Sequence, residues 1–96
     1  MLWRILVPTV MDGKKISIGY HRAWDKKVRS ITNGLTVFQP AKGTWVNDKE
    51  ICCEKMIPVD IYCTEFQIHQ IAHMTKEYYK QKKIMYHLVT NHVFFI

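Results

Sequence analysis

One short run of alternating side chains constrains the fold of this chain more than any other feature. Ile57, Val59, Ile61 and Cys63 alternate with Pro58, Asp60 and Tyr62. A period of two predicts a β-strand that turns its apolar side toward a core. Counting back by twos from Tyr62 reaches Glu54, so both residues share the second side of this strand if no bulge intervenes. That second side is either a solvated sheet surface or the wall of a ligand pocket.

The composition indicates one small domain with more apolar surface than it can hide alone. The chain has 96 residues, which is enough for a single modest core over residues 1–96. Hydrophobic residues make up 48% of it, including three Trp, five Tyr and four Phe. A small sheet protein covers a second apolar face with another layer or with another copy of itself. We therefore expect a homo-oligomer.

The charge favours an anionic partner without naming its class. Fourteen Lys and Arg against eight Asp and Glu give a net charge of +6, which attracts anions. The sequence lacks the aromatic signature of RNA-binding sheets, so nucleic acid is not the expected partner. It also lacks a run of roughly 20 apolar residues that would span a bilayer and a signal-peptide cleavage site. No membrane partner is expected.

The cysteines and histidines predict neither disulfides nor a metal centre. Cys52, Cys53 and Cys63 are odd in number, and their spacing fits neither a disulfide framework nor a zinc site. His69 and His73 stand four residues apart on a predicted helix, where they either chelate a metal or lie on the exposed surface. A third ligand at a recognisable spacing is missing from the sequence. We expect no metal or other cofactor, and a reducing, cytoplasmic setting.

The strand patterns fall into two halves of the chain. Strands are predicted over residues 3–8, 35–38 and 57–63, and over 84–89 and 92–96 as one broken strand or two. In the first of them, Ile5 and Val7 lie on the opposite side from Arg4 and Leu6. Asp12-Gly13 marks a turn, and residues 40–49 are predicted to be a loop.

Two helices separate these strands. Apolar steps of three and four residues predict a helix over 20–32, which Asn33-Gly34 ends. His21, near its start, is either a ligand contact or a surface histidine. Thr64 and Gln67 form a capping box that opens a second helix reaching about residue 83. Its predicted packing face consists of Ile68, Ile71, Ala72, Thr75 and Tyr79.

The order strand, helix, strand, strand, helix, strand predicts a ferredoxin-like split βαβ fold of the α+β class. Its four-stranded antiparallel sheet carries both helices on one face. The other face is bare in a monomer and presents Arg4, Leu6, Glu54, Met56, Asp60 and Tyr62. A mixed face of this kind predicts that subunits pack sheet to sheet, with pockets between them.

Two further features have alternative interpretations. Trp45, in the predicted loop, either stacks on a flat ligand or at an oligomer seam, or plugs one end of the core. Lys14 and Lys15, beside the turn, either sit over a phosphate or are simply solvated.

Residues 33–85 carry a pattern found in a known family. Its parts are Gly34-Leu35, Gly43 with Trp45, Glu54 ahead of the alternating strand, and Gln81 ahead of the last strand. This pattern resembles that of the small phage-type S-adenosylmethionine (SAM) lyases and their relatives that degrade the signal nucleotide SAM-AMP.

The resemblance implies a trimer with active sites between subunits. It implies a lyase that splits its sulfonium substrate into a methylthioadenosine product and homoserine lactone, with Glu54 as the catalytic residue and a role in CRISPR or phage defence. The substrate's own carboxylate displaces the sulfonium, so no protein nucleophile is required.

Candidate substrate-binding residues follow from this chemistry. Tyr62 and Trp45 are candidates to line an adenine pocket. The candidates to bind a phosphate are Arg4, Lys14, Lys15 and Lys42. The net charge favours SAM-AMP over SAM. The alternative is a non-enzymatic, nucleotide-sequestering oligomer, which would bind the same ligand and release it intact.

Overall fold

The fold consists of two helices packed on one face of a curled antiparallel sheet. The computed structural model covers residues 1–96 and describes every side chain except those of Asn47 and Cys52. The strands are β1 (Leu2–Pro8), β2 (Val10–Met11), β3 (Lys14–Lys15), β4 (Thr36–Val37), β5 (Ala41–Asn47), β6 (Glu50–Tyr62) and β7 (Tyr86–Thr90), and the helices are α1 (Ile18–Ile31) and α2 (Glu65–Tyr78). This architecture confirms the predicted ferredoxin-like α+β class.

The main sheet has five strands, so the prediction of four was wrong. Its order is β4-β6-β1-β7, and β5 continues along β6 beyond β4. The chain therefore makes the second strand of the fold in two pieces. Phe38 still donates its backbone N–H to Pro58 O at 2.9 Å. Between Val37 and Ala41 the register against β6 then shifts by one residue, and Pro40, which has no N–H, lies within this break.

The prediction of a loop over residues 40–49 was therefore wrong. Strand β5 pairs with β6 from Ala41 opposite Met56 to Asn47 opposite Glu50, and Asp48 and Lys49 form the turn. The β1 strand stops at Pro8 opposite Met56, so the hairpin runs on without a third strand. We call its two-stranded part, residues 42–55, the arm. The sequence did not predict this strand because Pro40 and Gly43 are residues that usually interrupt strands.

The hydrophobic core lies between the sheet and the helices. The alternation predicted for β1 and β6 is confirmed, since Ile5, Val7, Val59 and Ile61 are all at most 1% exposed. The helices and the segment that follows α2 cover them with Trp24, Val28, Ile68, Ile71, Ala72, Thr75 and Tyr79. The α2 members of this set and Tyr79 match the packing face read from the sequence.

The helix boundaries differ from the predictions at three ends. Helix α1 starts earlier, because the Ser17 hydroxyl accepts a hydrogen bond from Tyr20 N at 3.2 Å. It ends at Ile31 because Thr32 is extended, before the glycine predicted to end it. The capping box of α2 is confirmed, with both reciprocal hydrogen bonds present.

Helix α2 ends about five residues earlier than predicted. Lys80 adopts a left-handed conformation with φ of 53°, which stops the helix. The final predicted strand, over 92–96, is also absent: β7 ends at Thr90, opposite Leu2 at the start of β1, so no partner strand continues beyond it. Within the described residues, neither helix is long and apolar enough to cross a membrane.

Candidate functional site

A groove of about 460 Å³ opens where β1 ends and β6 runs on into the arm. The residues after β1 line one side, with Thr9 and Val10, and β6 lines the other from Cys53 to Met56. Gln81, which follows α2, completes the lining. Glu54 is the acidic side chain of this lining, and it is exposed in the single chain. The volume lies in the range of small-molecule pockets.

Three hydrogen bonds fix the walls of this groove. Thr9 Oγ1 donates to the backbone oxygen of Lys55 at 2.9 Å, which ties the end of β1 to β6. Gln81 donates its backbone N–H to Lys76 O at 2.9 Å and its Nε2 to Tyr79 O at 2.8 Å. The Gln81 amide is thereby anchored, while its Oε1 stays available as an acceptor.

Trp45 lies beside Glu54 on the arm. Gly43 is the cross-strand partner of Glu54, and the Trp45 ring folds over Gly43. A Cβ placed on Gly43 would stand 3.1 Å from Trp45 Cζ2, which is tighter than ordinary packing. Glycine is thus required here for close approach, and the indole is held near the acid. Trp45 belongs to a strand rather than to the predicted loop.

Two paired lysines lie on the arm, on the opposite face from Glu54 because they alternate with the pair of Gly43 and Glu54. Lys55 lines the groove, and Lys42 is the cross-strand partner of Lys55. Both are exposed, so their ammonium groups are free to move. Lys42 was singled out from the sequence, whereas Lys55 was not.

Lys14 and Lys15 line a separate concavity of about 450 Å³ at the start of α1. Asp12 and Gly13 make the predicted turn between their strand and β2, with φ of 52° and 76°. Lys15 pairs with Val10, which lines the Glu54 groove. These lysines are therefore neighbours of the groove rather than part of its lining.

Arg4 lies away from the groove on the bare sheet face. Its Nε and Nη2 donate to the two carboxylate oxygens of Asp60 at 2.6 and 3.0 Å, and its guanidinium lies 5.2 Å from the centre of the Phe38 ring. The hydrogen bond to Asp60 raises the pKa of Arg4. Asp60 is only 8% exposed, so the pair satisfies a carboxylate that would otherwise be costly to bury.

Tyr62 lies at the far end of β6 from Glu54. Eight residues of extended chain separate them, or roughly 27 Å at about 3.4 Å per residue, and Tyr62 packs edge-on against Phe95. Within one chain Trp45 shares the Glu54 face of the arm, whereas Lys42 alternates to the opposite face, and Tyr62 and Arg4 lie away from both. Sequence reasoning missed Thr9 and Lys55 as site residues, and noted Gln81 only as part of a pattern.

The potential metal ligands are dispersed over the described part of the chain. No group of three or more His, Cys, Asp or Glu side chains converges there. His69 Nδ1 lies 2.6 Å from the Tyr86 hydroxyl, so one of its nitrogens has a protein partner. Cys53 and Cys63 are free thiols, and burial raises the pKa of Cys63.

The fold defines a class of protein, the ferredoxin-like α+β proteins with a curled sheet. No protein-family model and no curated protein sequence matches the chain. Solved structures do. The divalent cation tolerance protein CutA1 of Thermus thermophilus superposes with a TM-score of 0.67 at 10% identity, covering 96% of this chain and 85% of that one.

Two further structures extend this comparison. The periplasmic divalent cation tolerance protein CutA of Archaeoglobus fulgidus has a TM-score of 0.66 at 10% identity, with 96% and 85% covered. A phage SAM lyase in complex with S-methyl-5′-thioadenosine has a TM-score of 0.65 at 14% identity, covering 88% of this chain and 76% of the lyase. At these identities the likeness shows a shared fold.

Proposed function

We propose that this protein is a lyase that cleaves a SAM-type sulfonium nucleotide, with SAM-AMP the favoured substrate. One observation carries the proposal: Glu54 and an anchored glutamine line a groove of about 460 Å³, and the Trp45 indole lies against Gly43, the cross-strand partner of Glu54, on a fold shared with a phage SAM lyase solved with methylthioadenosine. The CutA proteins share the fold as well, so the side chains of the groove supply the argument for the lyase.

The proposed reaction needs only correct positioning of the substrate. A carboxylate oxygen of the methionine tail attacks the tail's γ-carbon, and the bond from that carbon to sulfur breaks. Sulfur keeps the electron pair and becomes a neutral thioether, which gives homoserine lactone and a methylthioadenosine product, still joined to AMP when the substrate is SAM-AMP, with no proton transfer. Orienting such an intramolecular attack is worth roughly 7 to 11 kcal/mol.

Glu54 in this mechanism binds the substrate ammonium group. A carboxylate placed on the sulfonium would stabilise a positive charge that disappears in the transition state, which slows the reaction. Held on the ammonium, the same carboxylate folds the tail back without that penalty. In this proposal Trp45 stacks on the adenine, and Gln81 Oε1 accepts a second ammonium hydrogen.

The lysines around the groove favour the phosphate-bearing substrate. Lys55 lines the groove and Lys42 is its cross-strand partner, and Lys15 is paired with Val10 of the lining. SAM is itself cationic and would be repelled by them, whereas SAM-AMP adds a phosphate that they can bind.

A homo-oligomer, proposed to be a trimer, completes the site. Glu54 is exposed in the single chain, so the dry surroundings that strengthen its interaction must come from a second copy. The arm supports this arrangement, because Val46 and Ile51 are each 72% exposed. An isolated two-stranded hairpin is at best marginally stable in water. The free thiols of Cys53 and Cys63 fit the cytoplasmic setting that we propose for the protein.

Product analysis tests the proposal. Purified protein incubated separately with SAM and with SAM-AMP should convert the second to a methylthioadenosine-type product, detected by mass spectrometry. Glu54→Gln should lower the turnover rate by about 100-fold or more. Glu50→Gln, on the same strand at the tip of the arm, is the matched control and should react at the wild-type rate.

Two outcomes would contradict the proposal in different ways. Tight binding of an unchanged nucleotide would identify a sequestering protein instead of an enzyme. Turnover that survives Glu54→Gln would move the active site away from this groove.

A further inference from the structure

A second cavity lies on the helix side of the sheet, between α1 and the edge strand β4. Its volume is about 180 Å³, and it shares no lining residue with the Glu54 groove. Its apolar lining consists of Val7, Ile18, Trp24, Val37, Ile57 and Val59. A cavity of about 150 Å³ with such a lining holds a benzene molecule in another protein. The space therefore suits a single ring or a branched chain of similar size.

His21 supplies this cavity with an oriented hydrogen-bond donor. His21 Nδ1 lies 2.7 Å from the Tyr79 hydroxyl, and Tyr79 is fully buried. Within the described residues that hydroxyl has no other partner, so it donates to His21 Nδ1, because a buried donor without an acceptor is costly. The proton of the neutral imidazole then resides on Nε2.

Arg22 adds a positive charge at the cavity wall. In the part of the chain that the structure describes, no carboxylate lies within ion-pair distance of Arg22. Asp25 also lines the cavity, but it already accepts a hydrogen bond from Arg29 Nε at 2.6 Å. The cavity therefore combines an apolar interior with an unpaired guanidinium and an imidazole N–H.

We propose that this cavity binds a small aromatic carboxylic acid. The ring fills the apolar space, and the carboxylate accepts hydrogen bonds from His21 Nε2 and the Arg22 guanidinium. Charge complementarity selects the anion over a neutral ring of the same size, since the charge-assisted bonds to the carboxylate are the stronger ones. This site shares no lining residue with the lyase groove, so the two proposals can be tested separately.

Benzoate is the probe that tests the site. In a titration followed by amide NMR, benzoate should bind saturably with a Kd of about 1 mM or below, with the largest shifts at Arg22, Val37 and Ile57. Benzyl alcohol, which has the ring without the charge, should bind about tenfold more weakly. Acetate, which has the charge without the ring, should not saturate.

Two variants test the residues. Arg22→Gln should weaken benzoate binding about tenfold, whereas Lys26→Gln, the same charge change on α1 outside the lining, should leave it unchanged. His21→Asn keeps an acceptor for Tyr79 and removes the Nε2 donor, so it should also weaken binding. The absence of saturable benzoate binding, equal affinity for benzyl alcohol, or wild-type affinity in Arg22→Gln would each overturn the proposal.

Discussion

Strand β6 passes through two very different environments. In the body of the protein it lies between β1 and β4 under two helices, where Val59 and Ile61 are at most 1% exposed. In the arm it has only β5 as a neighbour, and Ile51 is 72% exposed. One continuous strand thus has buried apolar side chains at one end and exposed apolar side chains at the other. The contrast indicates that the body is stabilised within the chain, and we propose that the arm depends on a second copy.

The largest expected effect distinguishes the two ends of this strand. Ile61→Ala removes a fully buried side chain and should lower the free energy of unfolding by about 2 to 5 kcal/mol. This loss should be the same at every protein concentration. Ile51→Ala should destabilise the protein only at concentrations at which it is associated. Urea unfolding at two well-separated concentrations measures both, and concentration-independent behaviour of Ile51→Ala would break the contrast.

The next effect concerns assembly. Val46→Glu places a charge on the arm where we expect contact with another copy, and burying an unpaired charge is strongly unfavourable. The variant should therefore dissociate and keep wild-type helix content by circular dichroism. Phe66→Glu is the control, because Phe66 is 79% exposed on α2 in the body and its variant should stay associated. Dissociation of both variants, or of neither, would argue against the arm as the contact surface.

A smaller effect comes from the close approach of Gly43 and Trp45. Gly43→Ala forces the indole away from its place beside Glu54, so turnover of SAM-AMP should fall about tenfold, or about 1.4 kcal/mol in the activation free energy. Gly19→Ala on α1 is the control: the nearest atom to its added Cβ is 4.0 Å away, and alanine favours a helix. Equal turnover in the two variants would remove Trp45 from the site.

The smallest effect is a pH dependence in the body. Burial lowers the pKa of His21 below its ordinary value of about 6.5. The unfolded chain therefore binds a proton at His21 more readily than the folded chain does. The stability that neutral His21 contributes is fully present above pH of about 6.5, and it is lost as the pH falls through that value toward the pKa of the folded state. Between pH of about 7.5 and 5, the wild type should lose more stability than His21→Asn in urea unfolding; equal losses would show that His21 is not the cause.

Local patterns predicted the body well. The alternation of β1 and β6, the packing face of α2 and the capping box at Thr64 each depend on neighbouring residues, and all are present. Ser17 was missed as a cap, although a serine just ahead of an apolar helical pattern is a usable signal.

The arm was missed because its strand depends on pairing rather than on local pattern. Pro40 and Gly43 resemble loop residues, and only pairing with β6 makes β5 a strand. The end of the chain shows the converse. Residues 92–96 are apolar enough to be a strand, but β1 offers them no partner beyond Leu2.

The candidate site shows what alternation can and cannot predict. It placed Glu54 and Tyr62 on one side of β6, which the unbroken pairing along this strand supports. It could not say that roughly 27 Å separates them. The approach of Thr9 and Gln81 to Glu54 depends on the β1–β6 register and on the early end of α2. Neither feature can be predicted from a local sequence pattern.

The mass of the protein in solution, measured by light scattering under the conditions of the turnover assay, tests the central claim most directly. The claim is that a second copy covers the arm and completes the groove around Glu54. It predicts a particle of three chains of 11.4 kDa each. A particle with the mass of one chain, in a solution that still converts SAM-AMP, would contradict it.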